Sequence, residues 1–161
     1  MNKPATETIQ PLAPEGAIQT LTVVKQRSID ASIEIVWESM LEEMGPAGLS
    51  ANEKPMPMKL EAWPGGRWFR DLGEREGHLW GHVQVIKPPK LLEICGPLFM
   101  SYPGVNHVQY CLTAEGNSTW LKLTHRGFGL IDPDHAKGVN TGWEKVVQSI
   151  AKIAERRKAR L

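Results

Sequence analysis

The chain has 161 residues, 41% hydrophobic and 23% charged, enough to bury roughly two thirds of its unfolded surface in one domain without metals or disulfides. No window approaches the ~20 apolar residues that a bilayer crossing needs, and MNKPATETIQPLAPEG at the start lacks the apolar core of a secretory signal. Nineteen Lys and Arg against eighteen Asp and Glu leave a formal charge of +1, which gives no global attraction to nucleic acid.

Residues 1–16 carry Pro4, Pro11, Pro14 and Gly16 without periodicity and read as a flexible leader; residues 17–161 read as a single domain. Alternation from Ala17 to Ile29 predicts a strand. Asp30 or Ser32 then caps a helix to about Glu43, with Ile33, Val36, Trp37, Met40, Leu41 and Met44 as its buried stripe and Gly45-Pro46 as its stop. Ala47 to Pro57 reads as an irregular segment with one short helix at most, and as a lid.

Strands follow. Met58, Leu60 and Ala62 alternate against Lys59, Glu61 and Trp63, and Pro64-Gly65-Gly66 turns the chain into a strand from Trp68 to Leu72. Gly73 to Gly77 is a hairpin loop. In the next strand Leu79, Gly81, Val83 and Val85 share the inner face, opposite Trp80, His82, Gln84 and Ile86. Pro88-Pro89 breaks the chain before Leu91 to Cys95. Two more strands place Val108, Tyr110 and Leu112 on one inner face and Leu121, Leu123 and His125 on the other, around a Gly116-Asn117 turn. A helix from about Pro133 or Gly138 to Arg160 closes the chain, with Val139, Trp143, Val147 and Ile150 on its apolar face and basic residues at its end.

Short antiparallel connections exclude a parallel sheet. The expected fold is α+β: a curved antiparallel sheet of about six or seven strands wrapped around a long C-terminal helix, the only element long enough to cover it. A sheet curling around that helix leaves a space between them.

Ile29-Asp30-Ala31 with Val36-Trp37, Pro64-Gly65-Gly66-Arg67-Trp68, Gly81-His82-Val83 with Lys87-Pro88-Pro89-Lys90-Leu91, and Thr119 to Phe128 with Gly142-Trp143 occur in an order and spacing that resembles a known group. That group is the START-like or Bet v 1-like (SRPBCC) superfamily with its helix-grip fold. Within it the chain is most similar to the family named for the C-terminal domain of the activator of Hsp90 ATPase. The resemblance covers roughly residues 18–155. It implies an apolar cavity and, in the eukaryotic namesakes, binding to a chaperone ATPase; other branches of the superfamily carry lipids or act as aromatase/cyclases. The shared residues are mainly structural, since turn and breaker chemistry accounts for them.

The expected function is binding of a small hydrophobic or aromatic ligand between sheet and terminal helix. The alternatives are a protein-interaction domain with a partner such as a chaperone, and a cavity enzyme of cyclase/aromatase type. Ligand-binding candidates are His125, Tyr110, Trp68, Gly81, Leu123 and Trp143. His125 titrates near neutrality if it faces the ligand, or is a paired structural histidine. The Tyr110 hydroxyl meets a ligand or bonds to backbone. Gly81 marks a bulge, a close approach to the helix, or cavity space. Trp37 and Trp143 suit a core, Trp143 also a cavity wall, and exposed Trp63 or Trp120 would suit a protein partner or a homodimer contact.

No catalytic residue stands out, because nucleophile elbow, phosphate loop and Rossmann patterns are missing from the sequence. No cofactor is implied. The five histidines are scattered, and His78 and His82 lie about 13 Å apart if extended, too far to share a metal. With only Cys95 and Cys111, which read as small strand hydrophobes, a reduced cytoplasmic protein is expected.

Overall fold

The computed structural model describes residues 16–161, so the expected leader lies, save for Gly16, outside the described residues. β1 (Gln19–Ile29) leads into α1 (Ile33–Met44). The strands β2 (Lys59–Leu60), β3 (Arg67–Gly73), β4 (Glu76–Lys87), β5 (Leu91–Gly96), β6 (Gly104–Glu115) and β7 (Ser118–Gly129) follow, and α2 (Pro133–Lys158) ends the chain. The strands form one antiparallel seven-stranded sheet in the order β1-β7-β6-β5-β4-β3-β2. This curved sheet packed on a long C-terminal helix is the helix-grip arrangement.

Local chemistry sets the helix ends. The Ser32 hydroxyl accepts from the Ile35 amide at 3.4 Å to open α1, and Asp132 Oδ1 accepts from the Asp134 and His135 amides at 2.7 and 3.2 Å to open α2. Each satisfies orphan amides of a first turn. The apolar stripes then meet: Val36, Met40 and Met44 of α1 and Val147, Ile150 and Ala154 of α2 share one core with the inner face of the sheet. Arg157 of α2 pairs with Glu42 of α1, and Lys158 with Asp30 at 2.9 Å. These pairs are partly exposed and contribute less than ~1 kcal/mol each, so the apolar contact carries the packing.

Alternation holds in β6 and β7. Val108 faces His125, Tyr110 faces Leu123 and Leu112 faces Leu121 across the ladder, all six buried. It fails in β4, and the reason is local. Trp68 pairs with Gly81 but Phe69 pairs with Leu79, leaving Trp80 as an extra residue in a bulge. The slip reverses the faces that strict alternation assigns. Leu79 is 44% exposed, whereas Trp80 turns inward and meets Trp68 edge to face at 5.0 Å. A second shift between Val83 and Val85 turns Ile86 toward the core. Another between Asp71 and Gly73 leaves Leu72 half exposed, away from buried Trp68.

The strand expected from Met58 onward shrinks to two residues at the sheet edge. The Met58 amide instead donates to the Gly45 carbonyl at 2.9 Å, which ties the end of the irregular segment 45–58 to the end of α1. That segment forms turns and an isolated Leu49–Pro55 bridge rather than a helix. Cys95 and Cys111 are both free and lie opposite His107 and Leu91, not each other.

Candidate functional site

Between the first half of α2, segment 45–58 and the β3–β6 side of the sheet lies a cavity of about 410 Å³, within the range of small-molecule sites. Aromatic rings dominate its wall, among them Trp68 from β3, Trp80 from the β4 bulge, Phe99 from the β5–β6 connection, Tyr110 from β6 and Trp143 from α2. Four of them stack as a chain of tilted and edge contacts, Trp68–Trp80 at 5.0 Å, Trp80–Phe99 at 5.5 Å and Phe99–Trp143 at 6.1 Å. Met56 and Met58 add flexible apolar surface. Exposed Glu53, Gln148 and Lys152 mark its mouth.

The two most buried indoles of the wall direct their polar edges away from this space. Trp68 Nε1 donates to the Met44 carbonyl at 2.7 Å, satisfying an orphan acceptor at the end of α1. Trp143 Nε1 donates to His125 Nδ1 at 2.8 Å. Both rings therefore offer apolar faces to the cavity.

That second bond fixes the state of His125. Its Nδ1 accepts, so Nε2 carries the proton and donates to Asn106 Oδ1 at 2.7 Å, while Asn106 Nδ2 donates to the Pro97 carbonyl at 3.3 Å. Both ring nitrogens are used, and burial pushes the imidazole down to about 4. His125 is a neutral, fully paired histidine behind Trp143, outside the cavity wall and uncharged near neutrality. Of the two readings of His125, the paired structural histidine is the one found, and the placement of His125 as a ligand contact is corrected.

The other candidates divide. Tyr110, Trp68 and Trp143 line the cavity, whereas Leu123 and Gly81 do not. Leu123 is fully buried in the core. A Cβ at Gly81 would stand 2.7 Å from the Cys95 carbonyl oxygen and 2.9 Å from Ile94 Cγ2. The close approach at Gly81 is therefore to β5, not to the helix or a ligand.

Glu43, Trp80 and Phe99 are wall residues that the sequence reading passed over. Glu43 carried a signal: it stands three residues after Met40 and seven after Val36, on the buried stripe of α1. It is 6% exposed. Burial alone pushes its carboxyl up to about 8, with no hydrogen bond or cation to hold the charged form. Nearby, the fully buried Tyr110 hydroxyl has no hydrogen-bond partner among the described residues. Burial first, and the neighbouring Glu43 second, raise its ionisation well above the usual tyrosine value. Both residues belong to the wall of a largely aromatic space.

Gly142 also belongs to the wall. A Cβ there would meet nothing within 4 Å, although glycine inside a helix costs about 1 kcal/mol relative to alanine. The missing side chain keeps the cavity open beside Trp143.

The family model for "Activator of Hsp90 ATPase homolog 1-like protein" matches residues 30–155. Protein MLL2253 from Mesorhizobium loti is similar in structure at 20% identity with a TM-score of 0.61, covering 84% of this chain and 97% of that one. CalU16 from Micromonospora echinospora is 19% identical at a TM-score of 0.57, with 89% and 90% covered. A Staphylococcus aureus protein of unknown function, SA2116, reaches 0.63 at 11% identity, with 88% and 98% covered. At these identities the likeness is one of fold. No curated protein matches the chain significantly.

Proposed function

Since the chain belongs to the activator of Hsp90 ATPase homolog 1-like family, and its fold leaves a hollow between sheet and terminal helix, we infer that it binds a small hydrophobic or aromatic molecule there. One observation carries this reading: a cavity of about 410 Å³ walled by Trp68, Trp80, Phe99 and Trp143. Flat rings offered face and edge suit a flat ligand, and each well-buried ring of a ligand gains on the order of 25 cal/mol per Å² of apolar area removed from water.

Segment 45–58 forms one side of the entrance. Lys145 of α2 donates from Nζ to the Ala51 carbonyl at 2.9 Å. An exposed bond of this kind opens at little cost, so entry and release proceed by movement of this segment against α2. No helix among the described residues is long and apolar enough to cross a membrane. With both cysteines free, we assign the protein to the reducing cytoplasm.

A protein-interaction role is the second reading, favoured by the exposed ring of Trp63, 56% accessible after β2. It puts the partner on the outer surface and leaves the cavity idle. Native mass spectrometry of freshly purified protein, repeated after denaturation, separates the two. A discrete excess mass that leaves on denaturation supports the ligand reading. A bare mass together with no uptake of added neutral polycyclic aromatic probes overturns it in favour of the outer surface.

A further inference from the structure

Within that ligand-binding reading, on which this step rests, the wall has one polar corner that its neighbours leave unused. Tyr110 is fully buried and its hydroxyl is unpartnered among the described residues, and Glu43 beside it is 94% buried, with no hydrogen bond or ion pair to its carboxyl among those residues. A buried hydroxyl left unpaired costs ~1–3 kcal/mol, and a carboxyl as enclosed as that of Glu43 keeps its proton rather than its charge. Both residues line the cavity, so a bound molecule that reaches this corner is what can satisfy them.

We propose that Glu43 and Tyr110 act together as a pair of hydrogen-bond donors that hold a neutral acceptor oxygen, of the ketone or quinone class, on an otherwise apolar aromatic ligand.

The charges around the pair select this ligand chemistry over a cationic one. α1 brings Glu43 itself, and the sheet brings only Tyr110. From α2 the charged wall groups are Lys145 and Lys152, from segment 45–58 Glu53, and His135 stands near the start of α2. The two lysines would repel an entering cation. No cation stabilises Glu43 as a carboxylate, and burial keeps its proton in place at neutral pH. The Tyr110 proton is held more firmly still. A carbonyl oxygen has two lone-pair directions and takes two such donors, while its ring system rests against Trp80 and Trp143.

The test compares 9-fluorenone with fluorene, which share a three-ring skeleton and differ by the carbonyl, titrated into the full chain at pH 7 by tryptophan quenching. Two neutral hydrogen bonds predict fluorenone binding about tenfold tighter. Tyr110→Phe should cut that preference to about threefold while fluorene affinity stays within about twofold, and Glu43→Gln, which keeps a donor, should retain it. Equal wild-type affinities for the two probes overturn the donor pair but leave the cavity reading standing, and this comparison needs no variant to fold. Failure of both probes to bind overturns the donor pair and the cavity reading together. Tighter binding of 9-aminoacridinium than of fluorenone, weakened by Glu43→Gln, overturns the proposal by showing an ionised carboxylate built for cations.

Discussion

Trp143 donates its indole N–H to His125 Nδ1 at 2.8 Å, joining the terminal helix to the last strand through a histidine that is itself held by Asn106. The contact sets the plane of a cavity ring from behind. Replacing His125 by Leu keeps the volume but strands the Trp143 N–H and the Asn106 carbonyl. The expected loss is about 2–4 kcal/mol, read by urea denaturation. Because Trp143 then loses its anchor, probe affinity should fall although residue 125 touches no ligand. A His125→Leu variant of unchanged stability would contradict this role.

pH dependence follows from two buried groups, His125 and Glu43, with opposite signs. His125 is pushed down to about 4 from 6.5, so the unfolded chain binds the proton more readily. Its stabilisation is complete above about 6.5 and is lost as pH falls through 4. Glu43 is pushed up to about 8 from 4.5, so the folded chain holds the proton more readily. Its contribution is complete below about 4.5 and is lost as pH rises through 8, by on the order of 5 kcal/mol. Glu43→Gln should therefore raise the thermal midpoint more at pH 8.5 than at pH 5. An equal shift at both would show that Glu43 ionises as an ordinary exposed carboxylate.

How much of this was legible in the sequence depended on where strands stayed regular. Val108, Tyr110, Leu121 and His125 fell on the inner face because β6 and β7 pair without interruption. In β4 the extra residue at Trp80 shifts the faces, and no composition signal announces a bulge beyond the neighbouring Gly81. Trp80 therefore read as outward when it is a wall residue. Phe99 was illegible for another reason: it sits between strands, where periodicity says nothing. Glu43 was legible in its spacing, since it lies on a stripe that should be apolar. The paired state of His125 required the Trp143 and Asn106 contacts, which join residues far apart in the chain.

Gly81 separates packing from ligand space. A side chain there meets the β5 backbone at Cys95 and the Ile94 methyl, so Gly81→Ala should destabilise by about 1–3 kcal/mol. In molecules that remain folded, probe affinity should be unchanged within about twofold, since this residue is off the wall. A stable Gly81→Ala variant with lost binding would move the cavity toward β5.

Trp68 has a double role that a conservative change can split. Trp68→Phe keeps an aromatic face but removes the donor to the Met44 carbonyl, leaving a buried acceptor at the end of α1. A loss of about 1–2 kcal/mol is expected, with probe affinity reduced only modestly. Amide exchange near Met44 should accelerate, and unaltered exchange there would count against the cap.

If the space beside Trp143 holds the ligand, a side chain placed at Gly142 must displace it. Leucine at this position projects into open cavity and improves helix propensity by up to about 1 kcal/mol. The measurement is 9-fluorenone affinity by tryptophan quenching in wild type and Gly142→Leu, with thermal midpoints taken alongside. Occlusion of the cavity predicts binding at least about tenfold weaker, a loss of ~1.4 kcal/mol, in a variant that melts no lower than wild type. Undiminished affinity in that equally stable variant would contradict the account.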